Sequence, residues 1–174
     1  MNKSALAFLS AILAFASPAL AEDPAELNDP QIAHVAYTAD NIDIAYAKLA
    51  LEKSSNEEVR KFAETMIRDH EAVNEAALGL LEKLGVQAED NFLSQTLNDN
   101  AEKITSELSA LEGAEFDKAY AENELAYHKA VNELVETTFM PNIENAEVKA
   151  LFEEGLRTFK VHEGHAEMMV KALQ

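Results

Sequence analysis

The chain has no cysteine and no tryptophan, and lysine and arginine supply only 14 of its 174 residues against 32 acidic ones. Each shortage removes a class of function. Without cysteine there are no disulfides, no thiolate metal ligands and no lipid-modified cysteine behind an export signal. A formal charge of −18 repels nucleic-acid phosphates and anionic lipid head groups, and no basic strip relieves it. A glycine-rich phosphate loop and a nucleophile elbow are both missing, and the serines and threonines show no defensible triad spacing.

Only one long apolar run exists. It extends from Ala5 to Ala16, broken by Ser10, with Lys3 before it and Ala19-Leu20-Ala21 after it. That is the layout of a secretory signal peptide over residues 1–21. The run is shorter than the roughly 20 apolar residues a spanning helix needs, and no twin-arginine pair precedes it. The expected mature protein is one domain over residues 22–174, periplasmic or secreted, with no membrane span after cleavage. Its charge is near −19, because the leader carries Lys3 and no acid.

Beyond the polar leader "EDPAELNDP", nearly every segment has helical period and none alternates with period two. The first helix starts at Asn28-Asp29-Pro30, with Asp29 as cap and Pro30 at the first position, and runs to about Lys53. Its stripe is Ile32, Val35, Ala39, Ile42, Tyr46 and Leu49. Asn56 caps a second helix, which carries Val59, Phe62, Met66, Val73, Ala77, Leu80 and Leu84 and closes at Gly85. The stretch from Val86 to Gly113 holds a shorter amphipathic segment, about Leu97 to Leu111. A fourth segment spans about Ala114 to Thr138 and breaks at Pro141. The last runs from about Ala146 to Ala172.

Two parts of the chain resemble each other. "AYAKLA" at Ala45 matches "AYHKAV" at Ala126, an offset of 81. "NEEVRKF" at Asn56 matches "NAEVKAL" at Asn145, an offset of 89, which implies a longer hairpin loop in the second copy. The fold class expected is all-α: a four-helix bundle of two helical hairpins joined by a long crossover that carries an extra short helix.

The five histidines decide where chemistry is sought. At about 100° per residue, His70 falls roughly 30° from the centre of its apolar stripe and His162 about 40° from its own. His34, His128 and His165 lie at stripe edges. A lone histidine on an apolar face is most often a hydrogen-bonded core residue. Imidazoles from several facing helices are instead what a bundle metal site is made of, provided they share one depth. Asp117, Glu124 and His128 follow at i, i+7 and i+11 on one face, adding carboxylates suited to a divalent transition metal such as zinc, copper or iron. His162, His165 and Met168 or Met169 form a second, softer row that would suit copper. No histidine has glutamate three residues before it, so the Glu-x-x-His pattern of carboxylate-bridged di-iron bundles is missing.

"LALEKSSNEEVRKFAETMIRDH" with Asn74 after it, Phe116-Asp117, Tyr120 and His128, and late His162 together resemble a bacterial family. It is domain-of-unknown-function family four-one-four-two, often labelled "predicted outer membrane protein". The likeness runs from about Gln31 to the C-terminus, and Leu156-Arg157 stands where the family usually has Leu-Pro. It implies a ferritin-like helical bundle, not a membrane barrel.

Two functions compete on this reading. One is a periplasmic bundle holding a divalent metal through His70, His128 and His162, with Asp117 or Glu124 assisting, in metal handling or envelope stress. The other is a non-catalytic helical module that binds an envelope protein, its histidines serving as core residues bonded to carbonyls or to Tyr120 or Tyr127. Three histidines within metal-ligand reach favour the first, and dispersed ones the second.

Overall fold

The computed structural model describes residues 22–174, so the leader-like segment 1–21 lies outside the described residues. Those described fold into helices, with no strand among them: α1 (Asp29–Lys53), α2 (Glu57–Leu84), α3 (Phe92–Ser109), α4 (Gly113–Leu134), a short α5 (Met140–Asn142) and α6 (Ala146–Ala172). None is long and apolar enough to cross a membrane.

Asparagine starts four of them. Asn28, Asn56, Asn91 and Asn145 each accept backbone N–H groups of the first turn, and Asn28 completes a capping box with Gln31. Asp29 is therefore not the cap the sequence pointed to. It sits inside α1, and its carboxylate accepts the backbone N–H groups of Glu144 and Asn145, tying the start of one hairpin to the other. At Gly85 the backbone turns left-handed, φ 69°, and ends α2. α3 begins at Phe92, five residues before the expected Leu97, because the Asn91 side chain and Ser94 fix its first turn.

α1 and α2 form one antiparallel hairpin, α4 and α6 the other, and the crossover carries α3 along α1. The expected longer loop is visible. α4 passes into a π-helical turn over Val135–Phe139 and then into α5, where Pro141 ends the run before Asn145 caps α6. Residues 135–142 supply the eight positions by which the two repeat offsets differ.

Two apolar clusters lie one above the other. At one end Tyr46, Val59, Phe62, Met66, Phe116, Tyr120, Ala166 and Met169 pack together. At the other, Leu27, Ile32, Val35, Leu93, Val135, Phe139 and Val148 do so. In chain order the residues of α1, α2, α4 and α6 between these clusters include Asp40, His70, Glu124, His128 and His162, with Asp43 next to Ile42 at the border of the first, all buried. A polar layer therefore crosses the bundle at mid-height.

A candidate metal centre in the middle of the bundle

All four bundle helices reach this layer. α1 brings Asp40 and Asp43, α2 brings His70, α4 brings Glu124 and His128, and α6 brings His162; none of these residues is more than 4% exposed. The rings of His70, His128 and His162 form a nearly equilateral triangle, with centroids 5.9, 5.4 and 5.6 Å apart. Phe159 stacks on His70 at 4.5 Å and Phe62 meets His128 edge-on, so aromatic walls hold the imidazoles in place.

One nitrogen of each histidine is committed. His70 Nδ1 donates to Asp40 Oδ1 at 2.7 Å, His128 Nδ1 donates to the Glu124 carbonyl at 2.9 Å, and His162 Nε2 donates to Asp69 Oδ2 at 3.0 Å. Those acceptors set the tautomer and leave a lone pair on the opposite nitrogen. His70 Nε2, His128 Nε2 and His162 Nδ1 are buried with no hydrogen-bond partner, as are both oxygens of Asp43 and of Glu124. A buried polar atom without a partner normally costs stability, so seven in one place call for an occupant.

Ligand atoms of His70, His128 and His162 lie within 4.8 Å of one another, and so do those of Asp43, Glu124 and His128. Metal–nitrogen bonds of about 2.0–2.1 Å put two ligands of one ion at most about 4 Å apart. Closing the triangle around an ion thus needs movements below about 1 Å. Asp43 Oδ2 lies 3.4 Å from both His70 Nε2 and His128 Nε2, in place for a further ligand. In metal sites the far N–H of a ligating imidazole regularly donates to a carboxylate or carbonyl, and all three histidines make such a bond.

The electrostatics of His128 and His162 agree. Burial pushes the His128 pKa down to about 3, against its bond to the Glu124 carbonyl. His162 falls to about 4 for the same reason, against its bond to Asp69. Both imidazoles are therefore neutral near pH 7, the form that binds metal. His70 is also pulled down by burial, but the Asp43, Asp40 and Asp69 carboxylates outweigh this and raise it. Burial raises Asp43 to about 6 despite the attraction of His70. Burial together with the Asp43 charge holds Glu124 well above the usual carboxyl range. This is a concentration of strained acid–base groups that a cation would relieve.

Of the residues singled out in the sequence, the fold brings together His70, His128, His162 and Glu124. Asp117 belongs to neither group. It lies seven residues before Glu124, about 10 Å along the helix axis at 1.5 Å per residue, with one buried unpartnered oxygen of its own. The softer row on the last helix is not assembled: His165 is exposed, Met168 is 59% exposed and Met169 packs in the apolar core. His34 stands 3.8 Å from Asp90, outside the layer. Sequence reasoning missed Asp40 and Asp43. Asp43 carried a usable signal, since it is four residues after Ala39 and three before Tyr46, on the stripe read as apolar.

The model of the family described as a domain of unknown function (DUF4142) matches residues 14–169, and the chain belongs to that family. No protein of curated function matches it. Among solved structures, CopM in the Cu(II)-bound form is similar at a TM-score of 0.65, covering 85% of this chain and 99% of CopM. The two share 14% sequence identity, so the likeness is one of fold.

Proposed function

We propose that this DUF4142 protein is a periplasmic metal-handling protein that holds a divalent transition-metal ion through His70 Nε2, His128 Nε2 and His162 Nδ1, with Asp43 as a further ligand. One observation carries the reading: three imidazoles from three helices each have one nitrogen anchored and the other buried without a hydrogen bond, and ligand atoms of all three lie within 4.8 Å of one another. The rival reading, histidines as bonded core residues, accounts for the anchored nitrogens alone.

Three nitrogens and a carboxylate oxygen form a borderline donor set that suits zinc and copper(II). At such a site copper(II) stands at the top of the affinity order for first-row divalent ions. The likeness to a bundle solved with Cu(II) supports the same choice. Every proposed ligand is nearly or fully buried, which favours holding an ion over turning over a substrate. The leader-like segment 1–21 supports export to the periplasm, where an acidic, cysteine-free protein can bind metal without competing disulfide chemistry.

The test is the metal content of untagged protein purified from the envelope, beside a His70→Ala/His128→Ala double variant. Near-stoichiometric metal in the wild type and its loss in the variant are expected. A wild type that takes up zinc and copper(II) no better than the variant would overturn the reading.

A further inference from the structure

The histidine site uses only part of the layer. One ion held by three imidazole nitrogens is completed by a single Asp43 oxygen in the four-coordinate geometry usual for zinc. That leaves Asp43 Oδ1 and both Glu124 oxygens buried and unpartnered. The Tyr120 hydroxyl, one helical turn before Glu124, is also buried without a partner. His128 cannot serve two ions: its Nδ1 proton is given to the Glu124 carbonyl, and it has one free lone pair, on Nε2. Whatever occupies the carboxylate side must therefore be held by oxygen. Among the described residues no arginine or lysine is buried, and the buried polar side chains are acids, histidines, amides and hydroxyls.

We propose a second, oxygen-lined cation site beside the histidine site, formed by Asp43 and Glu124 with the Tyr120 hydroxyl at its edge, in which Asp43 bridges the two ions. Its donors are harder than imidazole, so it takes a divalent cation that prefers carboxylate, with manganese(II) as the representative probe. This rests on the histidine site proposed above, and the two sites are unequal: one is mostly nitrogen, the other all oxygen. The ordering of events follows from the ligands. Three imidazole nitrogens and one Asp43 oxygen outnumber the donors of the carboxylate side, so the nitrogen site fills first.

The experiment is a sequential titration of the full mature chain. Metal-free protein is first given one equivalent of zinc(II), and uptake is measured. Manganese(II) is then added, and its binding is followed by loss of the free-ion electron paramagnetic resonance signal. Zinc-loaded wild type is expected to take up one manganese per chain, and zinc-loaded Glu124→Gln to bind it at least tenfold more weakly. The glutamine keeps the side-chain shape and every surface acid, so the difference isolates the buried site from weak binding on the acidic surface. Zinc-loaded wild type that binds manganese no better than Glu124→Gln overturns the second site and leaves the first standing. Failure to take up zinc at all overturns both, and is seen before manganese is added.

Discussion

Asp43→Asn should make the metal-free protein more stable while weakening its hold on metal. The carboxyl is fully buried, unpartnered and raised from 3.8 to about 6, chiefly by burial. The folded state thus binds this proton more tightly than the unfolded chain does. Stability then carries no penalty from Asp43 below pH 4, loses ground as pH rises from 3.8 to 6, and bears the full cost above that window. A rise of that size corresponds to about 3 kcal/mol at pH 7.5. This is an upper bound for the substitution, because the Asn amide is itself buried and removing Asp43 also removes the charge that raises His70. At about 2–4 °C per kcal/mol for a domain of this size, the variant should melt up to roughly 10 °C higher at pH 7.5 after exhaustive chelation. Near pH 4 the two melting curves should converge. Adding zinc should narrow the gap, because an ion at 100 times its dissociation constant adds about 2.7 kcal/mol to the wild type and less to a variant short of one ligand. Circular dichroism melts at the two pH values, with and without zinc, check this. A metal-free variant that is less stable at pH 7.5 would refute the argument that Asp43 is held at a cost for the sake of a cation.

Asp69 is outside the candidate ligand groups but accepts the His162 proton and is itself held by Arg68. Asp69→Ala should weaken zinc binding about 10–100-fold, the usual loss when the partner of a ligating imidazole is removed. Asp69→Asn, which keeps an acceptor oxygen for His162, should lose less, and competition titration against a chromophoric chelator ranks the three proteins. A His165→Ala/Met168→Ala double variant should bind copper(II) within about twofold of wild type, since both side chains face solvent. A tenfold loss in the same titration would show that the outer row of α6 takes part after all.

The fold was legible because its signals are local. Asparagine caps, the glycine after Leu84 and the apolar stripes mark α1, α2, α4 and α6 to within a few residues. α3 was misplaced at its start because Asn91-Phe92-Leu93 reads as loop until the cap with Ser94 is seen. The stripe angle put His70 and His162 on inward faces, and both are buried. Depth along the bundle was not legible, because it depends on how two hairpins slide against each other. That is why Asp117, on the right face but at the wrong height, could not be told from Glu124. Asp40 and Asp43 escaped notice because counting apolar residues along a stripe passes over an acid in its middle, and in so acidic a chain one more aspartate carries little information.

The internal repeat explains why the centre forms where it does. Adding the offset of 81 to Asp43 gives Glu124, and adding it to Tyr46 gives Tyr127. Both pairs meet across the bundle: Asp43 and Glu124 share a candidate ligand group, and the two tyrosine rings lie edge to face at 5.8 Å. With the second offset, His70 corresponds to Phe159, and these two rings stack at 4.5 Å. Equivalent residues touch one another only near a two-fold axis, so an approximate axis relates the hairpins and passes through the polar layer. A symmetric frame of this kind puts like side chains face to face, and two facing carboxylates repel unless something positive lies between them. The histidines break the symmetry. His128 stands where the first hairpin has Ala47, and His162 where it has Val73. A pair of acids set opposite each other by the repeat, with imidazoles added beside it, is the arrangement that the two proposed cation sites require.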